Sequence, residues 1–168
     1  MSLILETMKM TAHSVCFALS LALVVLSPAQ AKDELRVSYP SKVESSKGKE
    51  REKLFSKWMS GQAAVAYNEE MWKKGQQLVY FEYDSAQNQW RTIHSSKLKF
   101  KGQYSWRAFI DEKEMETQLN TEIKLGRQPA FIVRENGGYA MFFVSPEDLD
   151  AVRTELKALG VGEPKLKK

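Results

Sequence analysis

Residues 130–148 read A-F-I-V-R-E-N-G-G-Y-A-M-F-F-V-S-P-E-D. Ala130–Arg134 and Tyr139–Val144 are apolar runs of strand length. Asn136-Gly137-Gly138 between them supplies residues that accept the positive φ of a tight hairpin. The three do not form a phosphate loop, since they join two strands rather than leading into a helix. Ser145-Pro146-Glu147-Asp148 then opens a helix: serine caps, proline fits the first turn, and the acids suit the positive end of the helix dipole. Leu149, Val152, Leu156 and Leu159 make its buried stripe, and Gly160 closes it.

Working upstream, Asp111 caps a helix that runs to Leu125, with Met115, Leu119 and Ile123 at four-residue spacing and Gly126 as its stop. Trp106–Ile110 has strand character. Lys97-Leu98-Lys99-Phe100-Lys101 alternates strictly, which predicts a strand with one wet face. Trp90–His94 fits either a strand or the start of a short helix. Leu78–Tyr83 (L-V-Y-F-E-Y) is apolar at five of six positions and predicts a strand buried on both faces. From Glu50 a helical pattern places Leu54, Phe55, Trp58, Met59, Ala63, Ala66 and Tyr67 on one face. Ser60-Gly61 can split that pattern, and Gly75 ends it after Met71 and Trp72. Trp58, Met59, Met71 and Trp72 read as core if this helix packs on the domain, or as a greasy partner face if it extends away. Leu35–Tyr39 can add a strand, and the charged tail from Glu163 to Lys168 reads as frayed. No internal repeat is evident.

The first thirty-one residues have a different character. Val15–Leu26 is an uncharged apolar run, too short for a membrane span but right for the core of a signal peptide. Lys9 and His13 precede it, and Ala29-Gln30-Ala31 gives the small-x-small pattern of signal peptidase, so cleavage is expected after Ala31. A start at Met8 would make the leader more ordinary. The expected organisation is a signal peptide over 1–31, a charged lead-in and amphipathic helix over 32–75, an α/β domain over 76–160 and a basic tail over 161–168.

Cleavage removes Cys16 and His13, leaving a chain with no cysteine and with His94 as its one histidine. That closes disulfide, thiol-nucleophile and zinc-thiolate chemistry and any multi-histidine metal site. No cofactor or metal is expected. Losing Lys9 and Glu6 together keeps the net charge at +4. An exported domain with neither disulfides nor glycosylation sequons fits a bacterial periplasm better than a eukaryotic secretory route.

Past the leader, the longest stretch without an acid is Ser85–Ile110, which holds Arg91, Lys97, Lys99, Lys101 and Arg107, with Trp90, Phe100, Tyr104 and Trp106 among them. A basic strand face of this kind can hold an acidic protein, or could touch an anionic membrane surface. Lysines on an edge strand also serve simply to prevent edge-to-edge aggregation. Nucleic acid is not an expected partner for an exported chain. His94 has no acid at a spacing that pairs with it, although Asp84 and Asp111 are conceivable partners. Glu112, Glu114, Glu116 and Glu122 read as a solvated helix face.

The order helix, Pro129-led strand, Asn136-Gly137 hairpin, strand and amphipathic helix resembles the second half of a thioredoxin-like domain, over residues 76–160. The resemblance implies that Pro129 follows a cis peptide bond beside the active-site groove and that Leu78–Tyr83 is the central strand. It places Gln87 and Trp90, in the loop and helix start of Asp84–Ile93, where the family carries its two cysteines. Both cysteines are missing, so thiol–disulfide exchange is excluded, and Lys97–Lys101 reads as a strand where the family has a helix. The fold expected is a small thioredoxin-like α/β sheet with flanking helices and an N-terminal helical extension; the alternative is an unrelated α+β domain. The function expected is a non-enzymatic binding or assembly factor that engages a protein partner in the periplasm or envelope. Its partner surface would comprise Arg91, Lys97, Lys99, Lys101, Arg107, Trp106 and Pro129, with Pro129 and the Asp84–Gln89 loop bordering a peptide groove. Two other readings remain open: a small envelope hydrolase using carboxylates or His94, and a periplasmic inhibitor or immunity-type protein.

Overall fold

A computed structural model describes residues 34–135 and 137–168. The leader expected over 1–31, Cys16 and His13 included, lies outside the described residues. The chain mixes helices and strands, as expected, and every strand pair is antiparallel.

Its middle is built twice. The first unit comprises β2 (Met59–Ser60), α2 (Gly61–Lys73), β3 (Gln77–Asp84) and β4 (Gln89–Ser95). The second comprises β5 (Tyr104–Phe109), α3 (Glu112–Lys124), β6 (Gln128–Glu135) and β7 (Gly138–Val144). In each sheet the third strand lies between the first and the second, giving the orders β2-β4-β3 and β5-β7-β6. The local devices recur 51 positions apart. Ser60 caps α2 by accepting from the Ala63 amide, and Asp111 caps α3 by accepting from Glu114. Gly75 (φ +74°) ends one helix and Gly126 (φ +81°) the other, in the left-handed conformation that glycine adopts without strain. The register of the first hairpin slips between Leu78 and Tyr80, that of the second between Pro129 and Phe131. Only Lys73/Lys124, Gly75/Gly126 and Gln77/Gln128 are identical across 60–84 and 111–135, which is why no repeat shows in the sequence.

Period-two alternation divides the core. Phe131 and Val133 of β6, with Ala140, Phe142 and Val144 of β7, face a cluster shared with Leu78, Tyr80, Phe81, Trp90 and Ile93 of the first unit. Ile132, Tyr139, Met141 and Phe143 face the other way, under Met115 and Leu119 of α3. The second sheet is therefore buried on both faces, and each large side chain so buried contributes about 1.5–3 kcal/mol. α4 (Pro146–Ala158) adds Leu149, Val152 and Leu156 to the shared cluster.

Several expectations need correction. The helical pattern from Glu50 is broken: α1 (Gly48–Glu52) is one short turn, an irregular stretch follows, and Ser60-Gly61 starts α2 as foreseen. The helix expected as an N-terminal extension packs on β3 and β4, with Ala64 fully buried. The tail expected to fray forms β8 (Lys165–Lys167), which pairs with β1 (Arg36–Tyr39), and Arg153 holds Glu163 at 2.9 Å. Hydrogen bonding to β1 and packing of Leu166 beside Val37 offset the cost of ordering it. Trp90–His94 is a strand and not a helix start, and no peptide bond among the described residues is cis, that before Pro129 included.

Candidate functional site

Residues 96–103 link the two units. Lys97–Lys101 is not a strand, although its alternation is kept: Leu98 is buried, Phe100 packs on the core, and the three lysines are exposed. The ladder is lost because a side chain takes its donors. The buried Asp148 carboxylate, in the first turn of α4, accepts from the Lys101 amide (3.0 Å) and the Gly102 amide (2.8 Å). Ser145, expected to cap α4, instead accepts from the Gln103 amide (2.8 Å) and donates to the Gln103 carbonyl (3.1 Å). At Gly102 a Cβ would stand 2.2 Å from Ser145 Oγ, so only glycine fits that approach. At the other end Ser95 Oγ accepts from the Lys97 amide (3.1 Å) and donates to Glu155 (3.0 Å). The lysines are thus presented by a loop anchored at both ends.

Beside them lies an aromatic stack. Trp72 of α2, 42% exposed, stacks on Tyr104 of β5 (centroids 5.6 Å, planes 17° apart), and Phe100 packs against Tyr104 at 5.0 Å. Burial raises the Tyr104 phenol's pKa, and Asn68 donates to that oxygen at 3.1 Å. Lys99 lies against Gly75 at the end of α2. Lys97 is 3.8 Å from Glu155, whereas Lys99 and Lys101 make no ion pair with a described residue. The sequence pattern marks Trp72 only as core or partner face; its place beside the lysines depends on the α2–β5 contact, which no local pattern encodes.

The other predicted partner residues lie elsewhere. Trp106 is buried in the shared core, against Phe81 and Trp90. Pro129 is buried inside β6. Arg107 points to the buried Glu122, which also binds Arg127 and accepts from Gln118 at 2.8 Å. Glu122 is therefore no part of a solvated helix face, unlike Glu112 and Glu114. Asp84 binds the Ala86 and Gln87 amides and Asp111 caps α3, so neither pairs with His94. His94 instead meets Asn68 Oδ1 at 3.1 Å and the edge of Tyr67, and burial pushes its pKa down to about 4. It is neutral at pH 7, and no described carboxylate is placed to orient it as a base.

Arg91 belongs to a second polar site, which the sequence did not disclose. A cavity of about 590 Å³ opens between α1 and the β3–β4 pair. Arg91 and Glu82 face each other across the strands, and Glu82 accepts from Nε (2.8 Å) and Nη2 (2.6 Å). Glu52 of α1 takes Nη1 at 2.5 Å, while the guanidinium lies 4.0 Å over Phe55 and 4.7 Å from Trp58. Behind it, buried Arg51 donates to the Leu159 carbonyl at 2.9 Å, tying α1 to the end of α4. Tyr80 donates to Glu135 at 3.5 Å, and burial together with the Glu82 charge raises the Glu135 carboxyl's pKa against the pull of Arg51. Among the described residues no cluster of histidine, cysteine, aspartate and glutamate could hold a metal ion.

No family model, curated protein or solved structure matches this chain.

Proposed function

We propose that the chain is an exported binding or assembly factor, without a reaction of its own, that engages an acidic protein of the periplasm or envelope through Lys97, Lys99, Lys101 and Trp72. The observation that supports this most is the anchoring of the lysine loop. Asp148, Ser145 and Ser95 all bind its backbone and leave its cations outward. A loop held this way loses little further entropy on binding, and Trp72 adds an aromatic anchor of the kind that dominates protein interfaces. A lysine decoration that only prevents aggregation needs no such anchoring, and here the lysines lie on a loop rather than on an edge strand. The reading uses neither the thioredoxin resemblance nor a groove beside Pro129. An inhibitor would use the same face in a one-to-one complex.

The test is recovery of partners from the native host with a tagged chain after light crosslinking, alongside the triple variant Lys97→Glu, Lys99→Glu, Lys101→Glu. The expected result is a stoichiometric acidic protein with the parent chain, weakened by salt and lost in the triple variant with its thermal unfolding preserved. Equal recovery by both chains would remove the loop from the function. Loss of membrane lipid rather than of a protein would move the partner to the anionic membrane surface.

A further inference from the structure

The Arg91 cavity has no part in the lysine face. It is an open depression of about 590 Å³ rather than an enclosed pocket, so its charges rather than its walls would hold a ligand. Lys49, Arg51, Lys53 and Arg91 line it against Glu52 and Glu82, an excess of two positive charges. The two acids are held differently. Glu82, with a side chain 8% exposed, grips Nε and Nη2 of Arg91 from the neighbouring strand and belongs to the fold. Glu52, 61% exposed, arrives from a five-residue helix and touches only Nη1. A hydrated carboxylate on so short an element gains little from its ion pair and can be exchanged for another at little cost. Arg91 itself is held still by Glu82 and by the rings of Phe55 and Trp58, so one edge of a planar donor fork is fixed and the other is lent to a surface side chain.

The geometry points to a carboxylate-binding site in which a ligand carboxylate replaces Glu52 at Nη1 of Arg91. The body of the ligand occupies the cavity, and Lys49 and Lys53 at its mouth hold further negative charge. Glu52 is then a resident competitor that sets the threshold for binding.

The source of the carboxylate is either a free polycarboxylic acid or an acidic peptide segment. Isothermal titration separates the two with citrate and with acetyl-tetraglutamate amide, using acetyl-tetraglutamine amide as the neutral control. All chains carry the Lys97, Lys99 and Lys101 charge reversals, so that failure here and failure of the lysine face are read apart. Glu52→Ala should bind at least one acidic probe about tenfold more tightly than the chain that keeps Glu52, the scale of one charged hydrogen bond. Adding Lys49→Ala and Lys53→Ala should remove most of that gain. Gain with citrate alone assigns the free acid, gain with the peptide alone assigns a protein segment, and gain with both means that only the carboxylate is read. Equal binding with and without Glu52, no binding of either acidic probe, or a gain that survives the two lysine substitutions would each overturn the site.

Discussion

The second unit completes its sheet with the six residues of β5, whereas the first starts from the two residues of β2. The same topology therefore carries two different interiors. Where α3 lays Leu119 over Phe143, the equivalent positions of the first unit are Asn68 and His94, hydrogen-bonded to each other. Where β6 buries Val133, β3 buries Glu82 and pairs it with Arg91. The cavity, the His94–Asn68 and Arg91–Glu82 pairs and the exposed Trp72 sit in or beside the unit with the short strand, while the second unit buries Glu122 with Arg107 and Arg127. The second unit is the more apolar of the two, and the surfaces proposed for recognition lie in or beside the first.

The largest effect tests whether the two units are energetically one. Phe131 is fully buried and meets Tyr80 at 5.0 Å and Phe81 at 5.5 Å from the first unit and Phe142 at 5.9 Å from the second. Phe131→Ala should cost about 3–5 kcal/mol in urea unfolding, as large-to-small changes in tight cores do. Far-ultraviolet circular dichroism and tryptophan fluorescence should still report a single transition. Two separated transitions would mean that the units fold independently, and the shared core would lose its meaning.

The second effect belongs to the first unit alone. His94 has its pKa lowered by burial from 6.5 to about 4, so the unfolded chain takes up a proton that the folded chain refuses. Stability should be full above pH 6.5 and should fall by about 3 kcal/mol as the pH drops toward 4. His94→Phe, which copies the residue of the second unit, should abolish this dependence while costing about 1–3 kcal/mol, because Asn68 Oδ1 is left without its partner. Adding Asn68→Leu, again copying the second unit, should recover part of the loss in a double-mutant cycle. Undiminished acid lability in His94→Phe would remove His94 as its source, and Glu135 could not replace it, since a carboxyl whose pKa is raised by folding favours the folded state in acid.

These polar substitutions also explain what the sequence disclosed and what it hid. Hairpins, helix caps and stops are local, so Asp111, Gly126, the turn at Gly137 and the stripe of α4 could be read directly. The duplication could not, since it is carried by backbone geometry at 51-residue spacing while the side chains have diverged. The alternation of Lys97–Lys101 correctly gave the exposed lysines. It could not give the absence of a strand, because that depends on Asp148, nearly fifty residues away in sequence. Arg91 looked like another member of the basic surface; only the cross-strand register that sets it against Glu82 withdraws it. Charge counted along a chain does not distinguish a paired guanidinium from a free ammonium.

The glycines at the two helix ends make a finer test of equivalence. Gly75 and Gly126 share a left-handed conformation, and an added Cβ would meet nothing at Gly126 and only the tip of Lys99 at Gly75. Gly75→Ala and Gly126→Ala should therefore each cost about 1 kcal/mol, the price of φ > 0 for an L-residue. A clearly larger loss at Gly75 would show that the first unit depends on its helix end in a way that the second does not.

The smallest effect on stability should come from the residues assigned the greatest role in function. Lys97, Lys99 and Lys101 are exposed, and of the three only Lys97 lies within ion-pair distance of a described acid, at 3.8 Å. Each lysine-to-alanine change should stay within about 0.5 kcal/mol, as surface substitutions do. Asp148→Ala differs in kind, because it removes the acceptor of the Lys101 and Gly102 amides and frees the loop without altering a lysine. If presentation matters as well as charge, partner binding should fall in Asp148→Ala although all three cations remain. Should binding track the lysine count alone, the loop is an electrostatic patch and its anchoring serves the fold. A fall in both kinds of variant ties the recognition surface to α4, which packs on a strand of each unit.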